Sequence, residues 1–216
     1  MPKRLIPLES VDGPAPDGPT PLTDVVLAFF LEGIARDPDQ DEDETLFEAK
    51  PLREAATGAF ALGCAVGVEF PKRVDAILRQ THGEDIPNIL AECREPLAEQ
   101  VKEARETGGQ VAPELFLGSL FDALEDTGSV EADTAYNILS ISFEYGVILT
   151  TVDRAASIVV RNAYNRRLRE MLKALEEGQP IEVPPGVDPS QSLQEFAKEL
   201  VTAYEQDIGF GGPSAS

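Results

Sequence analysis

Apolar positions recur at helical spacing along most of this chain. Val25, Val26, Phe29, Phe30 and Ile34 follow the start signal Thr20-Pro21-Leu22-Thr23-Asp24 and end before Asp37-Pro38, predicting a first helix over residues 22–36. Two further helices are expected over 72–82 and 84–107. The second holds Pro87 near its start and Pro96 within it, and stops at Thr107-Gly108-Gly109. Leu117, Leu120, Phe121 and Leu124 mark a short helix opened by Ala112-Pro113-Glu114 and closed by Thr127-Gly128. No proline occurs from Ala132 to Glu177, so that stretch reads as one long helix or as two joined near Thr150-Thr151-Val152-Asp153. Leu193, Phe196, Leu200, Val201 and Tyr204 line one side of a last helix over 190–207.

Two segments carry a second period as well. Phe60, Leu62, Cys64, Val66 and Val68 alternate with small residues, and Ile141, Phe143, Tyr145, Val147 and Leu149 alternate with Ser140, Ser142, Glu144 and Gly146. Short strands near 59–68 and 139–149 would make the protein α+β. Alanine's helix preference argues for helix in the first segment, where Ala55, Ala59, Gly63 and Gly67 then form a stripe of small residues that lets two helices approach closely.

The expected fold is all-α, a bundle of about six to eight helices of ordinary length. An extended, Pro-rich arm (1–20) precedes a helical domain (21–177). A Pro-rich connector (178–189), the C-terminal helix (190–207) and a loose tail (208–216) follow. Two similar helical halves are one reading of it. Leu27–Ile34 resembles Leu117–Leu124, and each is followed by an acidic loop, an apolar segment containing Gly-Val (Gly67-Val68, Gly146-Val147) and a charged helix.

Charge changes the picture of the surroundings. The formal net charge is −21, and 12 of the 18 basic residues are Arg. Such a chain repels itself at low ionic strength, and molar salt, with a Debye length of about 3 Å, removes most of that cost. The composition therefore points to a salt-rich cytoplasm or a virus particle, with an ordinary acidic protein or a nucleic-acid mimic as the alternative. Cys64 and Cys93 are expected as reduced thiols. The N-terminus lacks the apolar run of a signal peptide, and no segment has the roughly 20 apolar residues of a spanning helix, so no membrane contact is expected.

Candidate chemistry is sparse. His82 is the one histidine, which removes two-histidine metal sites, and at the end of a predicted helix it reads as a complement to the helix dipole. Neither a dinucleotide-binding glycine motif nor a P-loop is present. Asp37, Asp39, Asp41, Asp43 and Glu48 fall at positions 1, 3, 5, 7 and 12 of an EF-hand-like window, although Glu42 stands where such a loop turns on glycine. They are candidate metal ligands against the simpler reading of a solvated acidic loop. Glu92, Glu95, Glu99 and Glu103 on one helix would suit a Mg²⁺-dependent hydrolase of nucleotides, although acidic helices produce such clusters freely.

One stretch opposes the overall charge. Six basic residues from Arg154 to Lys173, set against Asp153 and Glu170, leave residues 153–173 at +4 and the rest of the chain at −25. Asn162, Arg166, Arg169 and Lys173 share one helical face, with Val160, Tyr164, Leu168, Met171 and Leu175 on roughly the opposite one. This face is the candidate partner-binding surface, for an acidic surface of the same chain or a second copy, or of another protein. Nucleic acid is less favoured, because the patch is short, lacks interleaved aromatics and would lose phosphate affinity in salt. The expected function is that of a structural or adaptor protein without a cofactor, with the Mg²⁺ hydrolase and a nucleic-acid-binding subunit as alternatives.

Overall fold

The computed structural model describes residues 21–34, 46–125, 127–184 and 186–207. Helix α1 (Leu22–Gly33) is followed by strand β1 (Leu46–Glu48), which runs directly into α2 (Ala49–Glu69). Helix α3 (Val74–His82) passes through a 3-10 turn (Gly83–Asp85) into α4 (Ile86–Thr107). The helix–strand–helix order then recurs as α5 (Pro113–Glu125), β2 (Ser129–Glu131) and α6 (Ala132–Val152), and α7 (Arg154–Glu176) and α8 (Leu193–Asp207) complete the described chain. The expected helical bundle is what forms. The arm over 1–20 and the tail over 208–216 lie outside the described residues.

Strands do not form at 59–68 or 139–149, which lie within α2 and α6. Every residue from Ala55 to Val68 is buried, so α2 is enclosed by protein all round and its apolar residues satisfy both periods at once. The alternation was a by-product of that uniformity. The strands that exist are elsewhere and antiparallel, with Leu46 opposite Glu131, Phe47 opposite Val130 and Glu48 opposite Ser129. At three residues each, they are too short for a two-residue period to register.

The same register exposes an internal symmetry. Phe47 and Val130, Phe60 and Phe143, and Gly63 and Gly146 are each separated by 83 residues, as are the starts and ends of α2 and α6. The contacts at the crossing are reciprocal. A Cβ on Gly63 would meet the Phe143 carbonyl oxygen at 2.0 Å, and one on Gly146 would meet the Phe60 carbonyl oxygen at 2.1 Å. The two β–α units are therefore related by an approximate twofold axis through the ribbon and the α2–α6 crossing. This corrects the sequence pairing of Gly67-Val68 with Gly146-Val147 by one helical turn, since Gly63 is the true counterpart of Gly146 and Gly67 lies against Thr150. Ala55, Ala59, Gly63 and Gly67 are all buried, and the last two lie in the close-approach seam.

Element ends follow local chemistry. The 132–177 stretch divides at Asp153, whose extended backbone (φ −148°, ψ 93°) stops α6 and whose carboxylate accepts the Ala156 N–H at 2.9 Å to cap α7. Helix α1 ends at Gly33 rather than 36, because Ile34 turns extended and buries its side chain. The C-terminal helix starts at 193 rather than 190. Asp188 first closes a turn by accepting the Ser190 N–H and hydroxyl, and Ser192 with Glu195 then forms a reciprocal cap. Leu193, Ala197 and Val201 of α8 join the same hydrophobic core as α1 to α7.

Candidate functional site

Polar chemistry collects at three places: inside the bundle around His82, in a small cleft beside Tyr164, and along the outer face of α7.

His82 ends α3, as expected, but its partner is a carboxylate from another helix rather than its own helix dipole. Its Nε2 lies 2.9 Å from Glu144 Oε2 of α6, with the two side chains only 1% and 3% exposed. Thr23 of α1 donates to the other Glu144 oxygen at 3.4 Å, and Thr81 donates to Thr23 at 3.2 Å. Nearby, Tyr136 donates to Asp24, and burial pushes the Asp24 carboxyl above its ordinary value despite that bond. Burial and the neighbouring Cys93 push the Tyr145 phenol up to about 12. A carboxylate–imidazole pair is a familiar base arrangement, yet this one is sealed from solvent, its hydrogen-bonded neighbours among the described residues are threonine hydroxyls, and the other ring nitrogen, Nδ1, is buried with no partner among them. It fastens α1, α3 and α6 together. No sequence spacing links residue 82 to residue 144, and the signal in the sequence was Glu144 as the one charged residue between Asp133 and Asp153.

The cleft is bounded by Phe29, Phe30, Gly58, Tyr164, Val187 and Phe196, among others, and its volume is about 30 Å³. The Tyr164 hydroxyl is buried there with no partner among the described residues. Burial holds the Tyr164 phenol well above its ordinary value. The space admits one water-sized molecule, too little for a substrate.

The metal candidates do not come together as a site among the described residues. Asp37, Asp39, Asp41 and Asp43 lie outside them. Glu48 is in β1, exposed, with its backbone in register opposite Ser129. Its place in the ribbon replaces the expected loop position. Glu92, Glu95, Glu99 and Glu103 are exposed along α4, and among the described residues no three His, Cys, Asp or Glu side chains form a group able to hold a metal.

Helix α7 has two electrostatic characters. On its inner flank Arg161 pairs with Glu69 at 3.0 Å, Arg167 pairs with Glu54, and Arg154 donates to the Val68 carbonyl at 3.2 Å, tying the helix to α2. Asn162, Arg166, Arg169 and Lys173 all face solvent, as the wheel required. Arg166 has no ion pair among the described residues. Among the described residues Arg169 donates only to the Asn165 carbonyl at 3.3 Å, and Lys173 lies 3.7 Å from Glu177, the residue just past the helix end. Val159, half exposed, sits one turn before Asn162 on that face. Beside Arg169 an open groove of about 480 Å³ separates α7 from the start of α8, walled by Asn162, Asn165, Ser190, Ser192 and Gln194. Val160, Tyr164 and Leu168 are buried as expected, whereas Leu175 is exposed because the helix outruns the core there.

Comparison with protein-family models, curated proteins and solved structures finds no match, so function must be read from the chain's own geometry. No helix among the described residues is long and apolar enough to cross a membrane.

Proposed function

We propose that this chain is a non-enzymatic assembly or adaptor protein of a salt-rich cytoplasm or a virus particle, and that it engages an acidic protein surface through the outer face of α7. One observation carries the reading. In a chain of net charge −21, Arg166 and Arg169 stand exposed without a carboxylate partner among the described residues, while Arg161 and Arg167 of the same helix are matched to Glu69 and Glu54. Carboxylates are abundant, so leaving these two guanidiniums unmatched keeps them free for an external anionic surface. Guanidinium is suited to that role, because its planar fork grips carboxylates in two places and is only weakly hydrated.

Protein is favoured over nucleic acid by the same pairing. With Arg154, Arg161 and Arg167 committed within the molecule, Arg166, Arg169 and Lys173 remain on this face to meet phosphates. Each phosphate contact weakens steeply with salt. The test is charge reversal, Arg166→Glu with Arg169→Glu, in full-length protein recovered from its native host in molar KCl. Light scattering coupled to size exclusion should show a discrete complex for the parent and its loss in the variant. An unchanged complex would reject α7 as the contact surface, and nucleic-acid absorbance that persists in the complex would reject the protein-partner reading.

A further inference from the structure

We infer that the outer face of α7 docks on the acidic face of α4 of a second copy of this chain. The inference rests on the reading of α7 as an assembly surface and names its partner. On α4, Glu92, Glu95, Glu99 and Glu103 are exposed and succeed one another at steps of three and four residues, so they share one side of the helix. None of the four has an ion pair among the described residues. The α7 face, from Asn162 to Lys173, follows the same kind of steps. Both stripes cover eleven residue steps, about 16 Å of helix at 1.5 Å per residue.

Like charges one turn apart repel, and the two stripes carry opposite signs: four carboxylates on α4, and on α7 Arg166, Arg169 and Lys173 over seven residue steps, with neutral Asn162 completing the face. Laid against each other, the two guanidiniums that α7 leaves without an ion pair would meet carboxylates that α4 leaves without one. No ion pair joins the two faces within one described chain, so the match falls to another molecule. Val159 adds an apolar element that salt does not weaken. In molar salt the long-range repulsion between two molecules of charge −21 is screened within about 3 Å, whereas pairs in direct contact are screened least. The contact joins two different surfaces. It closes on itself as a pair only when α7 of each copy meets α4 of the other, and otherwise builds a ring or filament.

The test uses two variants of the full chain, Arg166→Glu/Arg169→Glu and Glu95→Lys/Glu99→Lys, each checked for helical content by circular dichroism. Light scattering coupled to size exclusion would compare them with the parent, alone and in equimolar mixture. The parent is expected to associate, each variant alone to run as a monomer, and the mixture to associate again, because a reversed α7 then meets a reversed α4. Association of the α4 variant to the parent's extent, or folded variants that stay monomeric on mixing, would overturn the inference. If the α4 variant assembles while the α7 variant does not, α7 stands as the contact surface and α4 is excluded as its partner. A parent that is monomeric throughout excludes self-association and leaves α7 to a different acidic protein.

Discussion

Replacing Gly63 with alanine sets two effects of opposite sign against each other. In a helix interior with room for a methyl group, the change stabilises by about 0.5–1 kcal/mol, because glycine loses more backbone freedom on folding. At Gly63 there is no room. The added Cβ would lie 2.0 Å from the Phe143 carbonyl oxygen and 3.0 Å from the Val147 nitrogen, and these are backbone atoms of a central helix rather than the end of a flexible side chain. Restoring an ordinary contact at 3.4 Å requires α2 and α6 to part by about 1.4 Å. Overpacking of this kind typically costs about 1–3 kcal/mol. The steric effect should win, leaving a net loss of about 1 kcal/mol.

The approximate twofold makes this prediction unusually constrained. Gly146→Ala places its Cβ 2.1 Å from the Phe60 carbonyl oxygen and should lose about as much. Because one separation of the helices relieves both clashes, the double variant should lose less than the sum of the two. Gly118, within α5, has nothing within 4 Å of the place a methyl group would take, so Gly118→Ala should gain about 0.5–1 kcal/mol. Urea denaturation of the four variants beside the parent decides the matter. If Gly63→Ala gained stability as Gly118→Ala does, the two helices would not be in backbone contact and the argument for the symmetric crossing would fail.

Three further outcomes follow from the buried pair, the α7 cap and the net charge. His82→Ala leaves Glu144 buried without its main partner and should cost about 3 kcal/mol or more, most of it recovered in His82→Leu/Glu144→Met; a urea midpoint close to the parent's for the single variant would contradict the buried pairing. Asp153 caps α7 and accepts from Arg105 at 2.7 Å, so Asp153→Ala should cost about 1 kcal/mol near neutral pH. Although burial pushes the Asp153 carboxyl up, the Ala156 N–H and Arg105 hold it below its ordinary value. The parent's advantage over the alanine variant should therefore be full above an unfolded pKa of about 3.9 and fade as pH falls through the lower folded value, whereas a gap that persists into strong acid would refute it. The melting temperature should rise from low to molar KCl, and equal values in the two would count against a salt-rich setting.

What the sequence made legible was whatever repeats at 3.6 residues or breaks at a turn signal, and what it hid was whatever depends on residues far apart. The outer face of α7 was visible because residues 162, 166, 169 and 173 lie on one helix, where spacing alone fixes direction. The small-residue stripe was visible for the same reason, but its register against α6 was not, since Gly63 meets Phe143 only across 80 residues of chain. The ribbon and the His82–Glu144 pair were hidden likewise. The symmetry, once seen, shows where the halves differ. Counted by the same 83-residue step, Asn165 of α7 corresponds to His82, and Arg166 and Arg169 correspond to Gly83 and Ile86. In the first half the chain breaks there, with Gly83 at φ 55° between α3 and α4. In the second half the helix runs on unbroken to Glu176, and the extension carries Arg167 and buried Leu168 on its inner side and Arg166 and Arg169 on its solvent side, the last two without an ion pair among the described residues. The symmetry of the two β–α units does not require this extension, and the packing of Arg167 and Leu168 accounts for its inner side alone, so its solvent side with Arg166 and Arg169 is where the proposed contact is to be tested.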